Sequence, residues 1–257
     1  SVVGVNISAH GVQALAEALK VNSTLTSLDM NNNYDLTDAG AEALAEALKV
    51  NSGLTALELS GCQVSAAGAK ALAEALKVNC TLNFLGLGWN ILSDAGVQSL
   101  AEALRMNSSL TSLDVSSNQI SEFGAQALAE ALKVNSSLKS LNVGSNNISN
   151  VGTRSLAEAL TMNSSLTSLH VPGNRMSDIG AKALAEALAI NNSLTSLSVA
   201  RNPIAEAGVQ LAEALKVNTA LVSVDLSWTR VSDDGARALA AALRDNRWLK
   251  SLALGSG

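Results

Sequence analysis

Aromatic residues make up only 2% of this 257-residue chain. That is too few rings to fill the wide interior of an ordinary globular domain, so the apolar core must be thin and repetitive. Cysteine is almost missing as well. Cys62 and Cys80 fall on opposite edges of the pattern described below and are not expected to pair, and isolated thiols suit a reducing compartment. We therefore expect a cytoplasmic protein, with secretion or delivery into a host cell as the alternative. Positive charge is neither abundant nor clustered: 17 Lys and Arg against 22 Asp and Glu leave a net charge of −5, which argues against nucleic acid as a partner. No apolar run is long enough to cross a membrane, and no secretory leader is expected. His10 and His170 lie far apart, no Cys/His or His/Asp pair recurs at ligand spacing, and no G-x-x-x-x-G-K-[ST] phosphate loop is present. We expect no metal, no cofactor and no catalytic group, hence a chain that is not an enzyme.

What is present is one pattern repeated along the chain. Leu110 to Asn135 reads L-T-S-L-D-V-S-S-N-Q-I-S-E-F-G-A-Q-A-L-A-E-A-L-K-V-N. Its first part alternates, with Leu113 and Val115 inward and Ser112, Asp114 and Ser116 outward, the period of a half-buried strand. Ser121 is placed to cap a helix, and Ala125, Leu128, Ala129 and Leu132 share one helical face. Glu130 and Lys133 take the wet face, and Asn135 is expected to end the helix in the left-handed conformation that asparagine tolerates. A single strand and helix cannot bury these leucines, so the units must stack. Strands need about 4.8 Å each and helices about 8–10 Å, so the stack is expected to curve with strands on the inside. The many alanines are expected to let neighbouring helices sit close.

The motif L-x-x-L-x-L-x-x-N-x-I followed by G-A-x-x-L-A-E-A-L-K-x-N resembles the leucine-rich repeat, and the long helical half of the 28-residue unit resembles the ribonuclease-inhibitor type. The resemblance spans essentially the whole chain. It implies an α/β right-handed solenoid, a horseshoe with a parallel β-sheet on the concave face and α-helices on the convex face. That type includes ribonuclease inhibitors, Ran GTPase-activating proteins and the sensor ends of NOD-like receptors. The implied function is protein–protein interaction, as a fragment of a larger receptor, effector or scaffold. Regulation of a GTPase, a structural spacer, and a consensus-engineered scaffold are the alternatives.

The chain is read as one domain: a partial repeat over 1–24 with its strand clipped to Ser1-Val2-Val3, full units from Leu25, Leu54, Leu82, Leu110, Leu138, Leu166, Leu194 and Leu221, and a last strand over 249–254. Polar end caps are missing from this pattern, so end-to-end self-association is possible. The first unit carries one extra residue near Tyr34-Asp35, where a bulged loop is expected. The seventh is one short, with Pro203 and a non-capping Ala205, and a shortened helix is expected. Asn33, Asn90, Asn118, Asn146, Asn174 and Asn202 should form a buried ladder, interrupted by Cys62 and Thr229. A second row, including Asn107, Asn135 and Asn163, ends the helices. Several of its members fit N-x-S/T, but the fixed period makes them terminators rather than sugar acceptors.

The glutamate recurring in A-L-A-E-A-L, such as Glu130, reads as a solvated face. The outward strand face is small and mildly acidic, carrying Asp29, Glu58, Asp114 and Asp225. Against it stand Phe84, beside Gly86 and Gly88; His170; Trp89, Trp228 and Arg201, just after the strands; and Arg175 and Arg230, just past the asparagine slot. Trp and Arg are the residues that most often anchor interfaces. These positions are the candidate surface for a protein or peptide ligand. Trp248 precedes the last strand and is expected to cover the end of the core.

Overall fold

The computed structural model describes residues 7–255. Its contacts divide into two units, Ser1–Ile120 and Ser121–Gly257. The first contains α1 (Ala9–Leu19), β1 (Ser27–Asp29), α2 (Thr37–Leu48), β2 (Ala56–Glu58), α3 (Ala66–Leu76), β3 (Phe84–Gly86), α4 (Ser93–Leu104) and β4 (Ser112–Asp114). The second contains α5 (Glu122–Leu132), β5 (Ser140–Asn142), α6 (Ser149–Met162), β6 (Ser168–His170), α7 (Asp178–Leu188), β7 (Ser196–Ser198), α8 (Ala207–Leu215), β8 (Ser223–Asp225), α9 (Asp233–Asp245) and β9 (Ser251–Ala253). Within each unit every strand pairs in parallel with the next, and equivalent residues meet, as in Leu57 with Leu85 and Leu169 with Leu197. The fold is thus the expected α/β repeat, one strand and one helix per rung. The clipped strand expected at residues 1–3 lies outside the described residues.

The core follows the alternation. Leu57, Leu85 and Leu113 in one unit, and Leu141, Leu169 and Leu197 in the other, are buried against helical leucines and alanines. The small residues do bring helices together: a Cβ built on Gly96 would sit 3.0 Å from the Cβ of Ala69, and one on Gly152 would sit 2.7 Å from that of Ala125.

Both asparagine rows are buried ladders. In the strand-side row, Asn90 Oδ1 accepts from the backbone N–H groups of Cys62 and Val64 at 3.0 and 2.9 Å, while its Nδ2 donates to the carbonyls of Leu59 and Leu87. The helix-end row overturns the left-handed expectation. None of its members has a positive φ among the described residues, and Asn163 is extended, at φ −83° and ψ 125°. Asn51, Asn79, Asn107, Asn163, Asn191, Asn218 and Asn246 instead each span two rungs. Asn51 Nδ2 donates to the carbonyls of Leu19 and Asn22, and its Oδ1 accepts from Gly53 and Leu54 of its own rung. Asn107, Asn135 and Asn163 are 6%, 6% and 5% exposed, so the N-x-S/T matches place their amides inside the protein.

Serine capping holds only in alternate rungs. Ser65, Ser121 and Ser177 are extended and accept from their own helices. Thr37, Ser93 and Ser149 instead open α2, α4 and α6 in the left-handed region, and their N–H groups donate to carbonyls of the following loop. This form delivers a neighbouring acceptor to the next helix. Asp38 Oδ1 takes the N–H groups of Ser65 and Gly68, and Asn150 Oδ1 takes those of Ser177 and Gly180. The structural period is therefore two units. Ser8, at the cap position of α1, makes no side-chain cap bond to the helix.

The seventh unit behaves as its sequence suggests. Helix α8 spans 9 residues, and its cap position, Glu206, makes no side-chain bond to the helix. The shortening leaves a void of about 20 Å³ between α7 and α8, lined by Leu184, Leu188, Leu197 and Leu211 among others. On its other side α8 is held tightly, since a Cβ on Gly208 would lie 2.8 Å from Gly235 Cα. Trp248 is 52% exposed.

Candidate functional site

The strands of the first unit present Asp29, Glu58, Phe84 and Asp114 on the face opposite the helices. The registers align Asp29 with Glu58, Glu58 with Gly86, and Gly86 with Asp114, so these positions form one row. Gly86 is what lets Glu58 occupy the row: a Cβ there would collide with the Glu58 carboxylate and lie 3.1 Å from the Phe84 ring. Burial, then the charges of Asp114 and Asp29, hold the Glu58 carboxyl above the ordinary glutamate value, against hydrogen bonds from Ser60 and Asn31. The aspartates have a local task too. Asp29 Oδ1 accepts from Asn31 N at 3.0 Å and Asp114 Oδ1 from Ser116 N at 2.8 Å, each bracing its own turn.

The raised Glu58 carboxyl has a stability consequence. The folded state holds that proton more tightly than the unfolded chain, so its ionisation opposes folding as pH rises through and above the ordinary glutamate value. Glu58→Gln is expected to raise the melting temperature at neutral pH, with the gain vanishing below about pH 4, where unfolded glutamate is itself protonated. Thermal melts at both pH values would check this; an equal gain at both would assign the effect to packing instead.

In the second unit, His170 Nε2 lies 2.9 Å from Ser168 Oγ. Asp225 accepts from Ser198 Oγ at 3.0 Å and from Ser227 N at 2.9 Å. Burial pushes the Asp225 carboxyl up, but hydrogen bonds from Ser227 and Ser198 and the charge of His170 outweigh it, leaving it below the ordinary aspartate value.

The loops after the strands hold the bulky candidates. Trp89 is 74% exposed and Trp228 53%. Both, with Arg201, occupy a position that is left-handed in every full rung, at φ 56°, 60° and 54°. Gly61 and Gly173 fill the same position in other rungs at φ 68° and 61°. A bulky L-residue is strained there, by roughly 1–2 kcal/mol. Arg175 is left-handed as well, at φ 56°. The Arg201 guanidinium stands over the Trp228 ring, 5.8 Å from its centroid. Arg175, Arg201 and Arg230 are exposed.

The helical side carries no comparable grouping. Glu17, Glu46, Glu74, Glu130 and Glu213 pair with lysines three residues on, in exposed positions, where such pairs contribute little. A furrow of about 760 Å³ runs over the alanines of α1, α2 and α3. No His/Cys/Asp/Glu group fit to hold a metal occurs among the described residues. One feature was missed in the sequence: the residue before every helix-end asparagine except Asn246 is apolar and exposed, as in Val50, Val78 and Met106 of the first unit and Val134, Met162 and Ile190 of the second. The recurring Lys-Val-Asn was the available signal.

A family profile described as the TMOD/LMOD leucine-rich domain matches residues 28–127. One described as leucine rich repeat matches 134–157, 163–185, 191–211 and 217–240. Among solved structures, leiomodin-1 actin-binding site 2 is similar at TM-score 0.50 and 21% identity, covering 57% of this chain and 86% of that one. The Caenorhabditis elegans tropomodulin C-terminal domain is similar at TM-score 0.50 and 20% identity, covering 58% and 92%. At these identities the likeness is one of fold. No curated protein sequence matches. No helix among the described residues is long and apolar enough to cross a membrane.

Proposed function

We propose that this chain, a leucine-rich repeat protein, is a non-enzymatic module that binds a protein or peptide through the strand face and the loops beside it. The observation that carries this reading is the placement of Trp89 and Trp228. Two large, exposed rings sit at a backbone position where glycine would be cheaper, and strain kept at an exposed aromatic is accounted for by what the ring touches. Beside Trp89, Asn90 ties the loop to the carbonyls of Leu59, Leu87 and Gly88, which limits the ordering entropy lost on binding there. We assign the repeats to the ribonuclease-inhibitor type on their helices of 9 to 14 residues. Free Cys62 and Cys80 support a reducing, cytoplasmic setting.

The test is capture of partners by the native chain and by a folded Phe84→Ser, Trp89→Ser, Trp228→Ser variant. A protein retained by the first and released by the second is expected; identical captures would overturn the reading. The likeness to actin-binding site 2 of leiomodin-1 makes actin a candidate to be tried directly, by co-sedimentation with filaments and by binding to labelled monomer.

Trp89→Gly separates strain from contact. Relief of the left-handed tryptophan contributes roughly 1–2 kcal/mol, and the greater freedom of unfolded glycine removes about 0.5–1 kcal/mol. Stability is therefore expected to hold or rise slightly in urea titrations, while affinity for the captured partner falls about 30-fold, the loss of an aromatic anchor. A fall in stability with unchanged affinity would make Trp89 a packing residue.

A further inference from the structure

We infer that the loops of the sixth, seventh and eighth rungs form a distinct subsite for a carboxylate-rich segment of a protein partner, gripped by Arg175, Arg201 and Arg230 around Trp228. The inference rests on the chain being a binding module and names the chemistry of one part of its surface.

The three arginines stand on loops that are bonded to one another in sequence. Gly173 N donates to Ala200 O at 2.9 Å, and Asn174 N and Met176 N, the residues either side of Arg175, both donate to Asn202 Oδ1. Arg201 N donates to Ser227 O at 2.9 Å, and Arg230 N donates to Ile204 O at 3.1 Å. The guanidinium-bearing backbone is therefore one hydrogen-bonded surface rather than three independent loops. Each of the three side chains is exposed, and none of the ion pairs among the described residues includes them. The cations with obvious partners are on the helices. These on the loops are not.

Trp228 gives the patch an apolar centre. Arg201 stands over its ring, and the ring is still 53% exposed, leaving room for an aliphatic side chain of the partner. The matching ligand alternates carboxylates with apolar residues. Arginine suits this better than lysine because its planar fork can take a carboxylate with two parallel hydrogen bonds. A nucleic acid fits poorly: the net charge of −5 would repel a long polyanion, and only a short acidic stretch escapes that cost.

The experiment uses the full chain and two short fluorescein-labelled peptides, one alternating glutamate with leucine and one alternating lysine with leucine, followed by anisotropy. The acidic peptide is expected to bind and the basic one not to. Arg201→Gln should weaken binding about tenfold, and the triple Arg175→Gln, Arg201→Gln, Arg230→Gln more than a hundredfold, as expected for charge-assisted hydrogen bonds. Raising salt should weaken the native complex much more than the residual binding of the triple variant. Glutamine preserves size and polarity at exposed positions, and unchanged urea midpoints would show that the variants fold. Equal binding of both peptides, no binding of the acidic one, or acidic binding indifferent to the triple variant would overturn the inference. So would complete displacement by millimolar inorganic phosphate, which would mark a simple anion site. Phe84→Ser with Trp89→Ser, both in the first unit, tells this failure from that of the wider reading. If that pair still loses a captured partner, the module reading stands and only the acidic subsite is wrong.

Discussion

Asn90→Ala is expected to cost roughly 3–5 kcal/mol of stability, at about 1–3 kcal/mol for each buried backbone group left without a partner. The side chain is 5% exposed. Its removal strands the N–H groups of Cys62 and Val64 and takes a donor from the carbonyls of Leu59, Leu87 and Gly88. These groups face loops rather than ladder strands. Urea titration with the slope compared between variants would measure the loss. Asn147→Ala is the control, since Asn147 is exposed and a change within about 0.5 kcal/mol is expected there. A loss at Asn90 no larger than at Asn147 would mean that the asparagine row is decorative.

Gly208→Val is expected to cost about 3 kcal/mol, the upper range for overpacking a tight contact. The first carbon of any side chain at Gly208 would lie 2.8, 2.9 and 3.0 Å from the Cα, carbonyl carbon and oxygen of Gly235. Backbone atoms cannot swing aside, so α8 or α9 must move as a body. Gly68→Ala provides the contrast. Its nearest neighbours are side-chain rather than backbone atoms, Asp38 Oδ1, Val64 Cγ1 and Ala41 Cβ; yielding there costs the bonds of Asp38 to the N–H groups of Ser65 and Gly68, but alanine favours the helix by roughly 1 kcal/mol over glycine. Its cost should be much smaller. Equal effects at the two glycines would show that the α8–α9 approach is not a tight constraint. The void on the other side of α8 gives the helix somewhere to go, so a second change that enlarges Ala181, which lines that void, should deepen the Gly208→Val loss.

The repeat, the parallel pairing and the strand-side asparagine ladder were legible in the residues because each depends on local periodicity. Leu113 and Val115 alternate with polar neighbours, Leu128 and Leu132 share a helical stripe, and Asn118 recurs at a fixed step. The exposed positions of Trp89, Trp228 and Arg201 followed from the same counting. What counting could not reach was backbone conformation. Asn163 was expected to be left-handed and is extended, because its amide is satisfied by the carbonyls of Leu132 and Asn135 one rung back. Residues such as Trp89, which carry no left-handed preference, are left-handed because the loop geometry of every rung requires it at that place.

The two irregular loops mark the division most clearly. The sequence by itself determined that the chain is a stack of strand–helix units with a thin leucine core, since no other arrangement buries those leucines. It also showed an extra residue near Tyr34, a proline at 203, and ladder slots filled by Cys62 and Thr229, as separate oddities. Only the tertiary structure decided that they belong together. Where the next rung lacks the asparagine that would accept two N–H groups, the preceding loop closes on itself: Leu36 N donates to Asn33 O at 3.0 Å, and Ile204 N donates to Asn202 O at 2.9 Å. Cys62 Sγ and Thr229 Oγ1 then bond to the carbonyls of Met30 and Leu226. The physical reason is that a buried N–H must find an acceptor somewhere. Which acceptor it finds depends on a residue a full rung away, a distance that local sequence pattern does not span.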